Sequence, residues 1–167
     1  MDFRLELMHP AFEPMIVGGF EALAAAFPDV TVKYVWVGEP RRRGDVSMGY
    51  FDEDGKYIRL NSHWLGREPS VLRAAALEPP LFHGRMTQEP EHLIAHEFGH
   101  AFEWSNPTIR PRIKEVWSAA TKRPKSECFA DYALTNPCEY FGELFALVRM
   151  GLADASRLRE YEYVTSG

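Results

Sequence analysis

With two cysteines in 167 residues, no apolar run long enough to span a membrane and no basic excess, the chain falls outside three protein classes. Two thiols cannot build a disulfide scaffold. In a chain without a secretory leader, Cys128 and Cys138 are expected to be free. A transmembrane helix needs about 20 mostly apolar residues, and no segment reaches that length. The opening MDFRLELMHPAFEP has acids and a proline where a signal peptide needs a basic end and an apolar run. The expectation is a cytoplasmic protein, or one exported or injected by a route that reads no such signal. With 19 basic against 24 acidic residues, the formal charge of −5 argues against nucleic acid held on a broad basic face. The imbalance is spread out: residues 1–78 carry 9 basic and 12 acidic side chains, residues 79–167 carry 10 and 12. Repeats, low-complexity tracts and linkers are also missing, so 1–167 is expected to form a single domain.

What is present favours a packed core: 46% of residues are hydrophobic and 13% aromatic. Residues 12–27 (FEPMIVGGFEALAAAF) have the pattern of a helix starting near Pro14, and 29–37 (DVTVKYVWV) that of a strand. The loop GEPRRRGD holds the one dense basic cluster, Arg41, Arg42 and Arg43, expected to be a solvated surface. SMGYF and KYIRLNS flank Asp52-Glu53-Asp54-Gly55, a hairpin signal in which Gly55 is free to take positive φ. Prolines 69, 79 and 80 and Gly84 break up residues 66–88, leaving one short helix near 69–77. Helices are expected over 90–104, 108–120 and 137–150. Strands in 29–62 followed by helices give an α+β domain: a small mixed sheet, then a helical C-terminal half.

Residues 96–100 read His96-Glu97-Phe98-Gly99-His100. On a helix, His96 and His100 stack one turn apart, about 40° from each other. Two imidazoles so placed suit one zinc ion with bonds of about 2.0–2.1 Å. Glu97 projects about 60° to the other side of His100, where a carboxylate takes a proton from a metal-activated water. This HExxH spacing is a metallopeptidase motif. Gly99 is a poor helix former and implies close approach of another element.

A catalytic zinc needs a third protein ligand. The histidines stand at 9, 63, 83, 92, 96 and 100, and Asn106 occupies the place of a third histidine in the extended motif. His92 is about 12 Å from His100 along the helix axis, too far to share one ion, and is expected to pack or to support a ligand. A downstream carboxylate remains. In Thr135-Asn136-Pro137-Cys138-Glu139-Tyr140-Phe141-Gly142-Glu143, Asn136 suits a cap and Pro137 the first helical position. Glu139 and Glu143 then share one face at i, i+4. Glu139 is the candidate ligand, and Glu143 would accept the other ring N–H of a ligand histidine. The competing reading makes Glu139 only the partner of Asn136 in a capping box.

HEFGHAF, followed by a tyrosine and TNPxEYFGE, resembles the metallopeptidase domains of the anthrax lethal factor group of bacterial toxins. Their segments look like HEFGHA and Y-x-x-TN-x-x-EFFAE. The likeness covers roughly residues 90–150; the first 89 match only in having strands before the helix. Pro-Pro endopeptidases are similar in size and in their HExxH helix. The resemblance implies a zincin-like fold, one zinc ion on His96, His100 and Glu139, Glu97 as general base and Glu143 supporting a ligand. It assigns Tyr132 to the oxyanion, for which the chain alone offers only one tyrosine among seven. The departures are Tyr140 for phenylalanine, Gly142 for alanine, and Pro137 and Cys138 before the glutamate.

The expected activity is hydrolysis of peptide bonds in a protein or peptide substrate, with a toxin-like effector implied by the resemblance. Residues 57–61 are expected to be the strand that pairs with an extended peptide, provided this strand is not internal to the sheet. Two alternatives are a binding module with a structural zinc and a zinc hydrolase of non-peptide amides. The first would need a fourth strong ligand, and the second has no deformylase-type ligand motif.

Overall fold

A computed structural model describes residues 1–39, 47–54, 56–71, 90–124 and 127–166. Arg41–Arg43, Gly55 and most of the short helix expected near 69–77 lie outside these residues. The described chain is α+β. Strands β1 (Asp2–Arg4), β2 (Tyr34–Gly38), β3 (Gly49–Asp52) and β4 (Tyr57–Asn61) form one mixed sheet in the order β1-β2-β4-β3. β1 and β4 flank β2 in parallel, and β3 pairs antiparallel with β4 along the edge. The strand expected over 29–37 starts only at Tyr34, although Val30 and Val32 are still buried. In the β3–β4 turn, Lys56 adopts a positive φ of 52°.

The helices are α1 (Glu13–Ala26), α2 (Ser62–Leu65), α3 (Pro90–Ser105), α4 (Arg110–Ala120), α5 (Pro137–Arg149) and α6 (Ala155–Thr165). Alternation sorts the sheet residues by face. Val35, Val37, Ile58 and Leu60 enter a core shared with Ile16 and Phe20 of α1 and with Leu93, Ile94 and Phe98 of α3. On the other face Tyr34 stacks on Tyr57 at 4.9 Å, and Arg59 lies over Trp36 at 4.5 Å. Burying the apolar face of four strands against two helices is what fixes α3 to the sheet.

Two glycines decide how closely α3 and α5 cross. A β-carbon on Gly99 would lie 3.2 Å from the Gly142 Cα and 3.1 Å from the Phe145 Cβ. The close approach inferred from Gly99 therefore comes from α5, which is buried from Tyr140 to Leu147. α6 closes the far side of α5. There the Tyr140 hydroxyl donates to Glu160 at 2.6 Å, and Tyr161 stacks on Phe141. Among the described residues no helix is long and apolar enough to cross a membrane.

Candidate metal centre

The site is built from two helices that begin and end for readable reasons. Asn136 caps α5, its side chain accepting from the Glu139 backbone N–H at 3.0 Å, with Pro137 in the first turn. The Glu139 carboxylate does not return to Asn136 to complete a capping box; it reaches across to α3. Its Oε2 lies 3.0 Å from the His96 Nε2 and 3.5 Å from the His100 Nε2, and the two imidazole nitrogens are 3.0 Å apart.

Those three separations test whether an ion fits. Ligand atoms about 2.0–2.1 Å from a tetrahedral centre are about 3.3–3.4 Å from one another. Edges of 3.0, 3.0 and 3.5 Å bracket that value. The donor set, two imidazoles and a carboxylate, also suits zinc.

Behind the centre the structure is closed. Glu143 is fully buried and stands between two histidines, with Oε1 2.9 Å from the His96 Nδ1 and Oε2 3.0 Å from the His92 Nε2. These atoms are within hydrogen-bond distance but are not aligned as well-formed hydrogen bonds. Gly142 leaves room for the arrangement: a β-carbon there would lie 2.9 Å from the His96 Cε1. The alanine of the resembling toxins would press on that ring. Among the described residues, His96-His100-Glu139 and His92-His96-Glu143 are each grouped closely enough to hold a metal ion.

Burial opposes ionisation of Glu139, but pairing with His100 and His96 prevails and holds its carboxyl well below the usual range. Glu143 is held low in the same way, burial being outweighed by His92 and His96. Burial lowers His96, yet Glu139 and Glu143 raise its pKa to about 9. Without a cation, the two carboxylates hold a proton on the ring between them.

In front, a cleft of about 640 Å3 is lined by His96, Glu97, His100 and Glu139, by Tyr132, and by Gly49 to Phe51 of β3. Glu97 is 3% exposed. Tyr132 begins a 3-10 turn before α5, its ring 5.9 Å from that of His96. His92 and Glu143 do not reach the cleft wall. The six residues picked out in the sequence thus lie together: His96, His100 and Glu139 as metal-ligand candidates on the cleft, Glu97 and Tyr132 lining it beside them, Glu143 behind.

The strand expected to meet a peptide is corrected. β4 (57–61) is internal, hydrogen-bonded to β2 on one side and β3 on the other, so it has no edge to offer. Among the described residues β3 is the terminal strand on that side of the sheet, and it lines the cleft. Its sequence, GYFD, is too short to announce that position. His92, expected to pack or to support a ligand, faces Glu143, and its spacing one turn before His96 is the signal for that place. Cys128 and Cys138 are free. No family model, curated protein or solved structure matches the chain, so the likeness to the toxin metallopeptidases rests on its motif residues.

Proposed function

We propose that this chain is a zincin-like, zinc-dependent peptidase in which His96, His100 and Glu139 hold one ion and Glu97 is the general base. The observation that carries this reading is the convergence of three ligand atoms, 3.0–3.5 Å apart, at the wall of a cleft that also contains Glu97 and Tyr132. In the alternative grouping, His92 and Glu143 lie behind the cleft lining, and Glu143 serves to orient His96. A zinc ion held by His96, His100 and Glu139 would supply Lewis acidity to the scissile carbonyl and to the attacking water.

The protein's own groups do the rest. Glu97 takes the proton of the attacking water and passes it to the leaving amine. Tyr132 donates its phenol to the oxygen that gains charge. β3, the last strand of the sheet among the described residues, lies along the cleft where an extended substrate would align its scissile bond with Glu97. His96 is fixed from behind by Glu143, so its Nε2 faces the ion.

The test is digestion of an unstructured protein such as casein by the zinc-loaded chain, with and without a chelator. Cleavage should stop on chelation and with Glu97→Gln, while circular dichroism and zinc content of that variant stay unchanged. Turnover retained by Glu97→Gln would remove the base assignment; no cleavage by the zinc-loaded parent would favour the binding-module reading.

A further inference from the structure

The cleft also carries charge that the hydrolytic steps do not use. Beyond His100, α3 turns Glu103 and Trp104 into it, and α4 contributes Arg110, Ile113 and Lys114. Glu103 is 6% exposed, and its Oε1 lies 3.3 Å from the Arg110 Nε. The same oxygen accepts from the Cys138 thiol at 3.5 Å. The Arg110 Nε is buried and not aligned with any acceptor, while the side chain as a whole is 42% exposed. Among the described residues, no acceptor engages the two terminal nitrogens of Arg110, and Lys114 has no partner. The two cations are spaced i, i+4 and share one face of α4.

A guanidinium fork has the geometry to take a planar carboxylate in two parallel bonds. Glu103 does not saturate it: the contact seen is at Nε, and among the described residues no acceptor hydrogen-bonds the terminal nitrogens of this cleft-lining side chain. The cleft also holds acidic groups. Glu53 follows β3, while Glu97 and Glu139 surround the metal position. Within the cleft a substrate carboxylate is disfavoured beside these acids and drawn to Arg110 and Lys114 on α4.

We propose that Arg110 and Lys114 form a carboxylate-binding subsite, selecting peptides with a free carboxylate near the bond to be cut. Resting on the peptidase reading, this names the substrate class: peptides with an acidic side chain or the chain's own C-terminus at that position. Trp104 and Ile113 supply apolar contact beside it.

The experiment measures binding, which needs no turnover. Zinc-loaded full-length protein is titrated calorimetrically with peptide hydroxamates differing only at the first or second residue beyond the hydroxamate. That residue is a glutamate amide, a glutamine amide, a lysine amide or a glutamine with a free C-terminus. A carboxylate at the favoured position should tighten binding about tenfold or more over the glutamine amide, and lysine should bind weakest. Which of the two carboxylates gives the gain distinguishes side chain from chain end. Lys114→Glu, an exposed change, and the paired Arg110→Met with Glu103→Gln, which leaves no buried charge alone, should each bring the glutamate-to-glutamine ratio toward one. If every hydroxamate binds and the carboxylates confer no gain, the subsite is wrong and the metal centre stands. If the gain survives both variants, the carboxylate is held elsewhere. If the zinc-loaded protein binds none of them, the metal-centre reading falls and the subsite falls with it.

Discussion

Gly49 meets the carboxylate of Glu97 through bare backbone: a β-carbon on Gly49 would stand 2.8 Å from Oε1 and 3.0 Å from Cδ. The edge strand and the motif helix therefore touch at the group assigned to proton transfer. Gly49→Ala should push that carboxylate aside; the added carbon would also stand 3.1 Å from the Arg59 carbonyl oxygen, so circular dichroism checks that the fold is kept. A displacement of this size is expected to lower kcat on the order of 100-fold. Zinc content should remain one ion per chain, measured by metal analysis of dialysed protein. Unchanged turnover would mean that Glu97 does not act from this position.

Glu139→Ala separates ligand from base. Removing one of three protein ligands should cut zinc retention after dialysis well below one ion per chain. It also leaves His96 and His100 with one carboxylate fewer, so the metal-free protein is expected to melt at a different temperature from its parent. A variant that still holds one ion per chain would move the ligand role elsewhere, Glu143 being the next carboxylate on that face.

The residues most legible in the sequence are those whose geometry lies within one helix. His96, Glu97 and His100 follow from a 3.6-residue repeat, and Glu139 from the lack of any histidine after His100 together with a capped helix start. Gly99 signalled a close approach but could not name α5 as the neighbour. The sheet order was not legible: β3 and β4 are both short, and which becomes the edge depends on β2, more than ten residues away, choosing β4 as its parallel partner. β1, three residues long, and α6, whose fixed points are Tyr140 and Phe141 on another helix, likewise depend on distant contacts. The pairing of His92 with Glu143 spans two helices and is visible only when they cross.

That pairing yields a prediction for a residue outside the cleft. With Glu143 held on one oxygen by His92 and facing His96 with the other, His92→Leu should let the carboxylate turn and loosen His96. Zinc affinity is expected to fall about 10- to 100-fold. His92→Gln, which keeps a polar group toward Glu143, should recover most of it. The d–d absorption of the cobalt-substituted protein reads the ligand geometry directly, and it should change in the leucine variant only. Identical cobalt spectra and zinc affinities in all three proteins would reduce His92 to packing.

The metal-free site should resist zinc as pH falls. In the unfolded chain His96 titrates near 6.5; in the folded one burial lowers it, but Glu139 and Glu143 raise it to about 9. The sign follows from linkage: this pairing stabilises the metal-free fold fully below about 6.5 and is lost as pH rises through about 9. Glu139 and Glu143 stay ionised across this window, both being held below the ordinary carboxylate range. Zinc needs the unprotonated ring, so binding displaces one proton. The apparent affinity should climb about tenfold per pH unit from 7 toward 9 and flatten beyond it. Competition with a chromophoric chelator at several pH values measures the slope, and calorimetry in buffers of different ionisation enthalpy counts the proton. A flat profile from 7 to 9, with no proton released, would show that His96 is neutral in the empty site and that its carboxylate neighbours do not hold it charged.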